Sequence, residues 1–168
     1  MKTFVVCVMI LVSMGANAQA LCLRLGHTLT PADHLSLKYE HWTNSAVNFS
    51  FTGFFERSKR NALNYSCYGA DLLAEYSPLG AGDPLPLLSW RAGLGATWQL
   101  VSDPWLYKGM SFSQRMNYGV SSEASIECNL TDVFRLSLFG QQKYLLRSSL
   151  GSARFCYGLG LAYRFTAY

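Results

Sequence analysis

Charge is what this chain has least of. Asp, Glu, Lys and Arg make up 14 % of its 168 residues, against about a quarter in an ordinary soluble domain. Beyond position 18 no apolar run approaches the roughly eighteen residues of a membrane-spanning helix, so no such helix is expected there. Of the five cysteines, those after Cys7 are Cys22, Cys67, Cys128 and Cys156, and none stands in a Cys-x-x-Cys or other metal-type spacing. There is no Gly-x-Ser-x-Gly elbow, phosphate loop or zinc motif. The net charge of +4 is mild and no basic run forms a nucleic-acid arm, so direct nucleic-acid binding is not expected. These absences leave no cofactor, no metal site and no enzyme motif to build on.

What is present begins with an export signal. Lys2 gives a short positive segment, Phe4 to Val12 an apolar one, and Ala16-Asn17-Ala18 a small-x-small cleavage site. Residues 1–18 therefore read as a signal peptide cut before Gln19, and 19–168 as one domain. Cys22 is close enough to suggest a lipoprotein, but Leu21 is too bulky for a lipobox.

Aromatic residues are plentiful, at 14 %, and they alternate. Phe155, Tyr157, Leu159, Leu161, Tyr163 and Phe165 share one parity. Arg154, Cys156, Gly158, Gly160, Ala162 and Arg164 share the other. On a strand these are opposite faces, one apolar and one small, polar and cationic. The pattern recurs in seven earlier segments, 20–29, 34–42, 46–56, 65–76, 87–100, 115–129 and 133–144. In the fifth, Trp90 and Trp98 sit near opposite ends of an apolar face, as an interfacial belt requires. Eight strands of this length suit an all-β, up-and-down antiparallel barrel of the outer-membrane type (OmpA/OmpX-like), with lipid outside and a polar lumen. The alternative is a periplasmic sandwich with the apolar face turned to a core.

In the barrel reading, segments 30–33, 57–64, 101–114 and 145–152 face outward, and 43–45, 77–86 and 129–132 face the periplasm. The inner parity carries Lys38, Glu40, Glu56, Asp71, Glu75, Arg91, Glu123, Glu127, Arg135, Lys143, Arg154 and Arg164. Acids and bases balance, and a barrel this narrow is filled by its own side chains, so a plugged interior is expected rather than a pore. The thiols are expected to be mostly free, since Cys67 and Cys156 fall on strands opposite each other. His27, His34 and His41 are spaced by seven, an odd step that alternates faces and argues against a shared metal. His41 on the outer parity, among many serines, keeps a lipid-modifying barrel enzyme in view. Asn48-Phe49-Ser50 and Asn64-Tyr65-Ser66 match glycosylation sequons, which arise often by chance.

The C-terminal third carries a likeness. Asn129-Leu130-Thr131-Asp132, Gln141-Gln142-Lys143, Arg147-Ser148-Ser149-Leu150-Gly151, then Phe155, Gly158-Leu159-Gly160-Leu161 and Phe165, resemble the TraO family of conjugative transposon proteins. The resemblance covers about 115–166, with Ser102-Asp103-Pro104 the one earlier match. It implies an outer-membrane component of a conjugative DNA-transfer apparatus related to type IV secretion, anchored in lipid and touching other machinery proteins, with no catalytic residues to carry over. Candidate contact residues are Arg57, Lys59 and Arg60 in a basic loop and Trp105, Tyr107 and Lys108 in an aromatic one. Gly160, Tyr163 and Phe165 look like the signal read by the barrel-assembly machinery, although Phe165 is not the terminal residue. A general envelope or adhesion barrel without a transfer role is the competing expectation.

Overall fold

The computed structural model describes residues 19–43, 46–60, 63–78, 87–102, 115–146 and 152–165. They form eight antiparallel strands: β1 (Gln19–Thr28), β2 (Ala32–His41), β3 (Val47–Arg60), β4 (Leu63–Tyr76), β5 (Leu88–Ser102), β6 (Arg115–Asn129), β7 (Phe134–Leu145) and β8 (Ala153–Arg164). Each pairs with its sequence neighbours, and β1 pairs with β8, so the sheet closes. Strand ends at Gln19 and Arg164 share one end of the barrel, here the terminal end. The turn Leu29–Pro31 lies at the opposite, loop end. Ten residues at about 3.3 Å each, tilted by about 40°, reach about 25 Å along the axis.

The closure of β1 on β8 depends on two glycines. Gly26 and Gly158 are direct partners across the seam. A Cβ on Gly26 would lie 2.3 Å from the Tyr157 carbonyl oxygen, and one on Gly158 would lie 2.1 Å from that of Leu25. Only residues without a Cβ allow this approach.

Alternation holds on all eight strands, and its sense is the reverse of a soluble protein's. Leu23, Leu25, Leu35, Leu37, Phe51, Leu72, Leu94, Leu138, Leu159 and Leu161 all face outward and are exposed. Outward aromatics form two bands. Phe49, Tyr76, Trp90, Phe134 and Tyr163 ring the terminal end, and Phe55, Tyr68, Trp98, Tyr118, Tyr144 and Tyr157 ring the loop end. Within the first band, ring centroids of Tyr76 and Trp90 are 5.9 Å apart and those of Phe134 and Tyr163 5.5 Å apart. Two aromatic bands around an aliphatic waist match the layout of lipid-facing barrels. A sandwich would have buried this face; the single closed sheet leaves it open on every strand.

Most strand boundaries fall within two residues of the sequence reading, and the largest difference lies between β3 and β4. Residues 57–64, expected to be a loop, are mostly strand, because β3 runs to Arg60 and β4 starts at Leu63. The ladder continues through Arg57↔Ser66, Ser58↔Tyr65 and Lys59↔Asn64. The reason lies inside. Ser58 Oγ donates to the Pro31 carbonyl at 2.8 Å. Tyr65 packs with Ala32, Phe54, Cys67 and Val101 in a small apolar cluster. Inward partners thus extend the alternation past the polar stretch. At the other end, the turn after β6 is held by Thr131, whose hydroxyl accepts from the Phe134 amide at 2.9 Å.

The facing assignment makes a graded prediction. Leu159→Arg, at the waist, should cost about 2–4 kcal/mol of folding free energy in lipid vesicles, and Leu146→Arg, beyond the end of β7, only about 0–1. Denaturant titration of vesicle-folded protein measures both. Equal costs would mean that lipid does not touch the waist.

Candidate functional site

The lumen is built from the inward residue of each strand pair, and it is charged. All twelve side chains assigned to it from parity are at most 6 % exposed. The sequence reading omitted Arg24 and His34, which are equally buried. Arg24 stands between leucines on β1 and His34 at the start of β2, and continuing the parity of Cys22 and Ser36 would have found both. The described lumen therefore holds seven cations (Arg24, Lys38, Arg91, Arg135, Lys143, Arg154, Arg164) and six carboxylates (Glu40, Glu56, Asp71, Glu75, Glu123, Glu127).

All but Arg164, which donates to the Asn129 side-chain oxygen at 2.8 Å, pair in one large network and two smaller groups. Arg24 grips Glu123 with two nitrogens at 2.9 and 2.8 Å. Lys38 Nζ reaches the same carboxylate at 2.8 Å and also pairs with Glu75. Arg91 lies 3.8 Å from Glu75, 2.8 Å from Glu40 and 3.0 Å from Glu127. Arg135 shares those last two, at 2.6 Å from Glu40 and 3.3 Å from Glu127. Toward the loop end, Lys143 pairs with Asp71 at 3.0 Å. There Glu56 accepts from Arg154 at 2.5 Å and lies 3.2 Å from His34 Nδ1, while Arg154 also donates to the Tyr65 hydroxyl at 2.7 Å. Multiple hydrogen bonds per ion are what an ion pair needs to survive out of water.

Aromatic rings complete the filling. At the terminal end the Trp42 ring has the guanidinium carbons of Arg91, Arg135 and Arg164 at 4.8, 5.8 and 4.8 Å from its centre. Its indole N–H donates to Glu40 at 3.2 Å. Lys143 Nζ sits 3.2 Å above the Phe54 ring, and Arg24 4.6 Å from that of Phe139. These cation–π contacts add to the holding of cations whose carboxylates are shared, as for Arg24, Arg91 and Arg135, and of Arg164, which has no carboxylate partner among the described residues. The four described thiols are free, and Cys22, Cys67 and Cys156 are buried in the lumen.

The remaining candidates are scattered. Arg57 faces outward near the loop end of β3, and Lys59 and Arg60 belong to the strand and not to the expected loop. Trp105, Tyr107 and Lys108 lie outside the described residues. Gly160 faces inward, where a Cβ would meet Ser137 Oγ at 2.6 Å, Cys22 Sγ at 2.8 Å and Arg24 Cγ at 3.0 Å. Its visible role is to leave room for these three inward side chains. Tyr163 joins the terminal aromatic band and meets Phe165 edge-on at 5.4 Å. His27 is exposed and His34 buried, on opposite faces. His41 has Gln19 and Phe49 as its cross-strand partners, neither of them a serine. Asn48 turns inward, its carbonyl oxygen accepting from the Thr43 amide at 2.9 Å, so its sequon is closed to modification.

A closed, inverted, eight-stranded antiparallel barrel with a charged and filled interior defines the outer-membrane-type class of small barrels. Solved structures agree. The N-terminal β-barrel domain of Pseudomonas aeruginosa OprF is 14 % identical with a TM-score of 0.67, covering 89 % of this chain and 98 % of that one. Neisserial surface protein A is 13 % identical with a TM-score of 0.65, covering 88 % and 96 %. The outer membrane enzyme PagL is 9 % identical with a TM-score of 0.54, covering 86 % and 98 %. At these identities they establish the shared fold alone. No protein-family model matches the chain, and no curated protein matches it in sequence.

The lattice predicts a compensation. Glu123→Leu leaves Arg24 without its partner and should cost about 3–5 kcal/mol. Adding Arg24→Met removes the orphaned charge while Lys38 keeps Glu75, so the double variant should regain most of that loss. Urea midpoints of the two variants in detergent test the pairing; equal midpoints would contradict it.

Proposed function

We propose that this chain is a small barrel of the outer membrane of a Gram-negative-type envelope, with an envelope-structural or adhesive role exercised through its rim. The supporting observation is the combination of an apolar waist between two aromatic bands with a lumen occupied by its own ion pairs. Outer-membrane lipid is its first partner in this reading. Transport through the lumen and catalysis have no part in it: the side chains that would line a passage are held by one another. The export signal over 1–18, outside the described residues, supplies the route to that location.

The reading makes two demands. The folded protein should need detergent or lipid for solubility and should show a heat-dependent shift in gel mobility. Reconstituted into planar bilayers, it should give no steady single-channel steps, and porin-like conductance would overturn the plugged lumen.

A second reading rests on the likeness of the C-terminal third to the TraO family. In it the barrel belongs to a conjugative transfer apparatus and contacts other machinery proteins through its rim. Deleting the gene in a donor strain should then lower transfer frequency by more than about tenfold, with restoration in trans. Unchanged transfer would leave the general envelope role.

A further inference from the structure

The outward face changes character at the loop end of β1, β2 and β3. Below, Leu25, Leu35 and Phe55 are cross-strand neighbours on the lipid-facing side. Two residues further along each strand stand His27, Asp33 and Arg57, again neighbours in register, with Tyr157 of β8 beside His27. Together with the turn through Leu29 and Pro31 these residues line an open cleft of about 650 Å³. His27 Nδ1 lies 3.1 Å from Asp33 Oδ1, with both side chains largely exposed. Among the described residues Arg57 takes part in no ion pair, although Asp33 is its direct register partner. Three of the last four residues of β3, Arg57, Lys59 and Arg60, are basic.

A polar cleft placed directly above an apolar surface has a defined depth in a bilayer. The tyrosine belt marks the headgroup level, and the cleft sits at that level. We propose that this cleft binds the phosphorylated headgroup of a membrane lipid, with its acyl chains lying along Leu25, Leu35, Phe55 and Leu159. The inference rests on the membrane reading above. The guanidinium of Arg57, unpaired among the described residues, matches a phosphate in a bidentate fork, and the Tyr157 hydroxyl and the His27 ring add polar contacts. The cleft volume falls in the range of small-ligand sites, about 300–1,000 Å³. A free phosphate would gain the polar contacts alone, whereas a lipid gains the apolar surface as well. That difference commits the site to a lipid.

The test uses the full mature chain folded in zwitterionic detergent micelles, followed by amide NMR. Short-chain phosphatidic acid is titrated in, with inorganic phosphate and phosphatidylcholine of the same chain length as controls. Heat-modifiable mobility without added lipid first confirms the micelle-folded barrel; if the protein folds and stays soluble without detergent, the membrane reading itself fails. Given the folded barrel, saturable shifts should cluster at residues 26–33, 57 and 157. Arg57→Gln should weaken binding about tenfold, the loss of one charge-assisted interaction, and His27→Gln should weaken it less. Both side chains are exposed, and unchanged gel mobility will show that the variants fold. Shifts spread evenly over the waist, or affinity unchanged in Arg57→Gln, would overturn the site. Inorganic phosphate binding as tightly as phosphatidic acid would overturn the assignment to a lipid.

Discussion

The structure depends on charge neutralisation inside a tube too narrow to hold bulk water. A carboxylate or guanidinium taken out of water costs several kcal/mol even after relaxation. The chain places thirteen such groups in the lumen and recovers the cost by sharing. Glu123 serves Arg24 and Lys38, Glu40 serves Arg91 and Arg135, and Arg91 links the two groups through Glu75. Because carboxylates such as Glu40, Glu56 and Glu123 answer to strands far apart in sequence, the ion pairs also fix register around the ring. A slip of one strand by one residue would send its charges to the apolar side.

The same constraint explains the composition. Charge is rare in the whole chain because the outer half of every strand must be apolar, yet the inner half is densely ionic. Small residues on the inner parity make this possible. Gly160 leaves space for Arg24, and Gly93, where a Cβ would approach the Glu75 Cγ to 2.9 Å, leaves space for that carboxylate. Trp42 then closes the terminal end as a flat plate for three guanidiniums. Such an interior favours rigidity over passage, which is why the rim, not the lumen, is the place to look for interaction.

Much of this was legible from period two alone. Strand number, the facing of the waist and twelve of the lumen charges follow from parity, since a strand gives its side chains only two directions. What parity missed was local. Arg24 is one cation among four leucines, so the first strand reads as apolar until its alternate positions are followed. Residues 57–64 look like a loop because most of them are polar or charged. The described ones are strand because Ser58 and Tyr65 find partners inside, a tertiary fact that no window of eight residues contains. The cleft of His27, Asp33 and Arg57 was equally hidden. Its members lie on three strands and meet only when the register is known, and spacing by sevens pointed instead at a histidine set that the fold splits between two faces.

That cleft shows where function can reside on a barrel whose interior is committed to stability. The lipid-facing side must be apolar at the waist, and charges in the lumen must find partners there. Only the rim escapes both demands, because headgroups and water there tolerate unpaired charge. Arg57, unpaired among the described residues, is an example: the same guanidinium at the level of Phe51 would face hydrocarbon, and in the lumen it would need a further carboxylate. At the end of β3 it needs neither. Polar groups that stabilise nothing visible therefore concentrate where the two constraints lapse, and on this chain they converge on one cleft at the lipid boundary.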